Sequence, residues 1–353
     1  MKQANEVKKK RSASLALLAI AAALLCLFAL DVLTASSQVA AIIPTAEAVK
    51  VLIAHLTPFP HAPLDPSIDT IVWEIRIPRA IGGVLIGMLL ALAGVAFQSL
   101  LRNPLADPYM VGVSAGSALG SVSVVLLGGA GLLAGFMQPL AAFASGLMTM
   151  VAVYSMSRWN GRLSTQSFLL SGIVVGTFLW SFLQLSVAIA LRAKDSGKAE
   201  SIIAQQLGSL ESIGWVSLLA LIPFGFIGLA VLATSWRELN LMALGEESAA
   251  HLGVDTEGFK RKVILAGSLV TAAAVSTAGI IAFVGMITPH IARRLVGPDH
   301  RSLLPASMLL GGFTLLLSDW LSRVFLHDLQ IGVITSLMGA PVFCYLLRSR
   351  KQI

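Results

Sequence analysis

Few residues in this chain could carry covalent chemistry. Gly112-Val113-Ser114-Ala115-Gly116 has the G-x-S-x-G spacing of a serine nucleophile, a pattern that works on a sharp strand-to-helix elbow. Here it opens an apolar run, and no histidine stands beside it to act as base. It is read as a chance match that leaves an intramembrane serine hydrolase as a remote function class. The six histidines, His55, His61, His251, His290, His300 and His327, are scattered, and there is no H-E-x-x-H. Cys26 and Cys344 lie far apart in apolar runs, where they read as buried small apolar residues. No metal site and no cofactor are expected. There is also no G-x-x-x-x-G-K-[ST], so nothing in this chain cradles a nucleotide phosphate. The chain is therefore not expected to be an enzyme.

The ionisable residues narrow the choice further. Asp319 is the one acid continuous with an apolar run, and Arg323 follows one helical turn later, an intrahelical pair in the favourable order. A proton-coupled carrier, the runner-up class, needs intramembrane acids or histidines in series. Their scarcity points to an external source of energy. Arg76 and Arg79 flank Pro78 at the expected start of a helix, where the backbone dipole disfavours cations. Something other than local helix stability must keep them there.

The elements that hold these residues follow from composition. The chain has 353 residues, 56% hydrophobic and only 12% charged, with a mean hydropathy of +0.84; soluble domains carry roughly 25% charged residues. Uncharged windows recur at 12–30, 80–101, 110–127, 136–157, 168–190, 214–236, 263–283, 303–318 and 329–347. A bilayer offers the backbone no water partners, so these are helices. A short broken helix over 287–296 makes ten if it is counted and leaves nine if it is not. The first window follows a basic tail, 1–11, and is longer than the apolar core of a signal peptide. It is read as a spanning helix.

Residues 31–76 form an external segment punctuated by five prolines, with a surface helix at Thr45–Leu56. Glycines at four-residue spacing, Gly83 and Gly87, Gly112, Gly116 and Gly120, and Gly172 and Gly176, mark faces for close helix packing. Residues 237–262 carry apolar residues amid charges and read as two short helices with a turn at Gly253. With ten spans, eighteen lysines and arginines fall on the side of the N-terminus and seven on the other. Both termini are then cytoplasmic, and the net charge of +7 reflects orientation instead of nucleic-acid binding. The whole chain, 1–353, is one membrane domain.

Three motifs occur in order: RIPR followed by NPLADPYMVGVSAG, LGEESAAHLGV at 244–254, and GIIAFVGMITPHIARRLVGPDHRSLLPAS with SDWLSR at 279–323. With them the chain resembles the permease subunits of FecCD-type ABC importers for iron-siderophores, haem and cobalamin. The resemblance implies an all-α membrane protein with ten transmembrane helices in inverted-repeat-like halves. In sequence, LAGVAFQSLLRNPLADPYMVGVSAG and STAGIIAFVGMITPHIARRLVG hint at that repeat. It implies a homodimer in a bacterial inner membrane, with ABC ATPase subunits that bind the ATP and magnesium, and an extracytoplasmic substrate-binding protein. Arg76, Arg79 and Arg323 would pair with glutamates of the binding protein. Reversing the charge of Arg76 and Arg79 is expected to abolish uptake without loss of insertion. Leu244, Gly245, Glu246, Ala249, Ala250, Leu252 and Gly253 would sit in a cleft of the ATPase, and a tryptophan at Ala249 is expected to uncouple it. Ser164, Thr165 and Gln166 would narrow the inner mouth of the pathway. The cargo implied is a bulky iron(III) chelate, with haem or cobalamin as alternatives. The sequence departs from the family pattern at Gln166-Ser167 and at His327-Asp328-Leu329-Gln330.

Overall fold

The computed structural model describes residues 2–34, 43–57, 64–128, 132–159 and 162–349. Helices α1 (Lys2–Leu33), α2 (Thr45–Leu56) and α3 (Pro66–Asp69) come first. A π turn, Thr70–Arg76, leads from α3 into α4 (Ile77–Leu100), and a 3₁₀ turn, Pro108–Val111, leads into α5 (Val113–Leu126). Then come α6 (Leu132–Met156), a two-residue antiparallel pairing of β1 (Arg158–Trp159) with β2 (Arg162–Leu163), and α7 (Thr165–Arg192). Helices α8 (Ser196–Leu207), α9 (Trp215–Thr234), α10 (Trp236–Ala243), α11 (Glu246–His251) and α12 (Thr256–Ala278) follow. The chain closes with α13 (Val284–Val296), α14 (His300–Phe325) and α15 (Ile331–Ser349).

Among the described residues, 7 helical runs are long and apolar enough to cross a membrane, and α5 and most of α15 are shorter apolar helices. With the 13-residue α13 they make the ten expected.

Helix α4 is the hub. Nearly all of it from Ile77 to Leu100 is buried, and it packs on α14, α12, α13 and α9. Lipid gives helices no hydrophobic drive to associate, so contact requires close backbone approach. A Cβ on Gly87 would overlap the Gly311 carbonyl of α14, and one on Gly94 would overlap the Gly285 carbonyl of α13. Phe97, 1% exposed, fills the space opposite Gly267 of α12.

The breaks after α4 and after α12 interlock. Tyr109 Oη accepts the Ile281 N–H at 3.0 Å, Asp107 accepts N–H bonds from Tyr109 and Phe283, and Pro108 packs against Gly285. Phe283 enters α13 with φ of 71°, a left-handed conformation that a bulky residue adopts only when its surroundings over-determine it.

Three expectations need correction. Arg76 and Arg79 do not start a helix, because the helical run begins at Pro66 and continues to Leu100. Pro78 lacks an N–H and its ring crowds the preceding turn; the wide π turn over Thr70–Arg76 accommodates it. The two short helices of the 237–262 loop are divided at Gly245 (φ 119°), while Gly253 (φ 88°) ends the second. Cys26 and Cys344 are exposed on the outer faces of α1 and α15, not buried. The pair Asp319–Arg323 forms as expected, but inside a larger network.

Candidate functional site

At one end of the bundle, α1, α4, α14 and the turn after α14 bring six charged side chains together. Asp319, with no exposed surface, accepts from Arg79 Nε at 2.9 Å and Arg323 Nε at 3.1 Å. Arg79 Nη2 also reaches Asp328 at 3.0 Å. Arg323 is paired in addition with Asp31 of α1. Arg76 donates to the Val32 carbonyl at 3.3 Å, and its Nη2 has no partner among the described residues. Three arginines thus meet three aspartates, and the cluster is formally neutral.

The three sequence-nominated arginines are therefore brought together, but they are only 5%, 8% and 3% exposed. They hold α1, α4 and α14 to one another. The expected neutrality of charge reversal towards insertion does not fit this burial: a glutamate at Arg79 would face Asp319 and Asp328. Asp31 and Asp328 were not singled out from sequence. Asp31 sits at the end of the first apolar run and Asp328 in the departing His327–Gln330 segment, so position at a helix end was the available signal.

At the opposite end, the 237–262 loop packs beneath α4, α12 and α14. Leu244 and Leu252 are 67% and 60% exposed although apolar, and Ala250 and Gly253 are also exposed. Ala249 differs: it is fully buried and belongs to the main core. It cannot be a contact residue, and a tryptophan there would break the packing. Leu244, Gly245, Glu246, Ala250 and Arg102 line an open polar cleft of about 800 Å³.

Lys260, in the first turns of α12, ties this loop to the start of α7. Its ammonium is paired with Glu246 and, at 2.9 Å, with Glu257, and it donates to the Leu163 carbonyl at 3.5 Å. Glu257 in turn accepts the Leu163 N–H at 3.1 Å. Leu163 directly precedes Ser164, whose hydroxyl accepts the Ser167 N–H at 3.3 Å as the N-cap of α7. Ser164 and Gln166 are exposed and Thr165 is half-buried.

A second tether joins α10, α14 and α4. His300 bonds Asn240 Oδ1 through Nδ1 and Ser99 Oγ through Nε2, each at 2.7 Å. Asp299 accepts from Asn240 at 2.9 Å and from the Arg301 N–H, and these bonds hold its carboxyl below the usual range. Sequence reasoning left His300 among the scattered histidines and did not single out Asn240, 60 positions away.

Between the two ends, α5, α7 and the Pro108–Val111 turn open a largely apolar cleft of about 340 Å³. Tyr109, Gly112, Ser114, Gly176, Thr177 and Trp180 line it. Ser114 is buried, and its hydroxyl has no partner among the described residues. No histidine lines the cleft, so the G-x-S-x-G serine is not set beside a base. Among the described residues no group of three or more His, Cys, Asp or Glu could hold a metal ion.

The apolar helical runs among the described residues, with their interlocked breaks, define a polytopic helical membrane protein. Residues 18–349 match the FecCD transport family, and the chain belongs to it: it is a permease of the ABC importer class. It is 42% identical over 287 residues to an ABC transporter permease protein of Bacillus subtilis (strain 168), covering 80% of each chain. It is 41% identical over 283 residues to a cobalamin import system permease protein of Halobacterium salinarum, covering 80% of this chain and 74% of that one. A solved structure described as an inward-facing metal-chelate type ABC transporter matches 95% of this chain and 99% of its own, with a TM-score of 0.78 and 25% identity.

Proposed function

We propose that two copies of this chain form the membrane path of an ATP-driven importer for a bulky metal chelate. Separate ATPase subunits would bind at the 237–262 loop, and a substrate-binding protein at the charged-cluster end. An iron(III)-siderophore fits this description. Cobalamin is a second reading, favoured by the 41% identity to a cobalamin import permease. The observation that carries the proposal is the family match over residues 18–349. The excess of lysine and arginine on the loop side supports a cytoplasmic loop and cytoplasmic termini.

In this reading Leu244, Glu246, Ala250 and Leu252 contact the ATPase, with Gly245 and Gly253 shaping the turns and Ala249 anchoring the loop from within. Ser164, Thr165 and Gln166 form the inner gate, and Lys260 connects loop to gate. Docking glutamates at the other end would compete with Asp31 and Asp328 for Arg79 and Arg323, and would find the uncommitted end of Arg76. The test is uptake into proteoliposomes holding the chain with its neighbouring ATPase and binding protein. A ferric siderophore, haem and cyanocobalamin are offered in turn. ATP-dependent accumulation of one of them is expected. Accumulation without ATP by the chain alone would overturn the proposal.

A further inference from the structure

Two features of the outer surface lie apart from the cleft between α5 and α7. The first is at the loop end, where α9 gives way to α10. Trp236 is half-buried, and two arginine guanidiniums lie over its ring: Arg237 at 5.0 Å and Arg301 at 5.9 Å from the centroid. Both arginines are exposed, and among the described residues neither has a carboxylate within salt-bridge distance. The nearby Asp299 is already engaged by Asn240 and by the Arg301 backbone N–H. Two cations converge on one ring, and Asp299 is the acid that acts on either of them, through Arg301; a second anion is left to be supplied from outside.

The second feature is an apolar crevice between α4, α9 and α14, lined by Leu85, Met88, Leu221, Phe226, Leu229 and Met308 among others. Its lining is almost wholly carbon, and its floor is deepened by Gly225 facing Leu89. The two features share α14: Met308 is seven residues, two turns, from Arg301 on one face of that helix, while Leu229 lies near the end of α9, just before the break that leads to Trp236. The crevice therefore begins about 10 Å along the helix axis from the arginines, at 1.5 Å per residue. That is the offset between a phospholipid phosphate and the body of its acyl chain in a leaflet whose hydrocarbon half-thickness is about 15 Å. Tryptophan and arginine together at a helix end also suit the membrane–water interface.

We infer that this surface binds one anionic phospholipid, with its phosphate between Arg237 and Arg301 over Trp236 and one acyl chain in the crevice between α4, α9 and α14. The occupant is a membrane lipid, because the paired cations and the apolar crevice lie two turns apart along α14 and the chain is a membrane permease. Bound there, the lipid would brace α10, which carries Asn240 and leads into the 237–262 loop.

The test is native mass spectrometry of the full-length chain purified from membranes, titrated with palmitoyl-oleoyl phosphatidylglycerol and with phosphatidylcholine of the same chains. Phosphatidylglycerol is expected to bind more tightly. The R237Q/R301Q variant should lose about thirtyfold in that affinity, at about fivefold for each arginine near a lipid anion. Both side chains are exposed, so this variant tests binding without disturbing the core. M308W, which fills the crevice, should weaken phosphatidylglycerol while leaving inorganic phosphate without effect. Equal affinity for the two lipids, an unchanged R237Q/R301Q titration, or an unchanged M308W titration would each overturn the inference. So would inorganic phosphate displacing the lipid at equal concentration, since a headgroup-only anion site needs no crevice.

Discussion

Replacing Asp319 by Asn removes one negative charge from the centre of the buried cluster and keeps the side-chain volume. Asp319 is wholly buried and bonded to Arg79 and Arg323 at 2.9 and 3.1 Å. Two unit charges at about 4 Å attract by about 4 kcal/mol at an effective dielectric of 20. Asp319 has two such partners, but its removal also relieves repulsion from Asp31 and Asp328. Asparagine keeps one acceptor and turns an amide donor towards a guanidinium. The net cost falls in the range seen when one partner of a buried pair is deleted, about 3–5 kcal/mol. Thermal unfolding in detergent, followed by tryptophan fluorescence, should show D319N markedly less stable than the parent. The D319L/R79M double variant should recover a large part of the loss, because it removes the charges in opposite pairs. If D319N unfolds at the parental temperature, the cluster does not fasten α1, α4 and α14, and the reasoning fails.

Other consequences are equally direct. A250W should leave the fold intact and uncouple ATP hydrolysis from uptake in the reconstituted importer, whereas A249W should fail by unfolding; comparing coupling with thermal stability separates the two. G311V should abolish accumulation of folded protein, since its side chain would overlap Gly87 and Ala91 of α4, and size-exclusion chromatography reports it. Burial pushes the Asp107 carboxyl up to about 6. An acid with a raised folded value favours the folded state below its unfolded value and loses that contribution as pH rises through about 6. D107N, which keeps the cap, should therefore be more stable than the parent at pH 7, by on the order of 3 kcal/mol. The gap should close by pH 4, and thermal unfolding at the two pH values measures it.

How far the sequence could be read depended on the range of the interaction involved. Nine helices followed from run length and charge placement, which are local, and the tenth, the short α13, rested on family resemblance. The small-residue faces also came through: Gly87 does meet Gly311, and Gly116 and Gly120 do meet α6. The arginines at 76, 79 and 323 were legible as a set only through family resemblance. Their burial was not, because it depends on Asp31 and Asp328, 292 and 5 positions away from Arg323 along the chain. Ala249 and Ala250 are indistinguishable as letters, and only the seating of α11 assigns one to the core and the other to the surface. Lys260 stands in the basic stretch Lys260-Arg261-Lys262 just before the 263–283 window. Its tie to Leu163 crosses 97 positions, beyond any local pattern.

In the proposed importer, that tie would let a loop without a catalytic group act on the pathway. Force on α11 pulls Glu246, and Glu246 is held to Lys260 in α12. Lys260 and Glu257 grip the backbone of Leu163 from both sides, through its carbonyl and its N–H. The next residue is the cap of α7, the helix that forms one wall of the apolar cleft. At its far end α12 runs into the Gly279–Phe283 break, which is bonded to Tyr109 in the other wall. A displacement of α12 therefore reaches both walls of the cleft, one through a lysine and the other through a tyrosine. Coupling through such a chain requires that its links be stiff in each state. A charge pair made of two carboxylates on one ammonium, and a phenol bonded to a constrained backbone, supply that stiffness where apolar packing alone would slip.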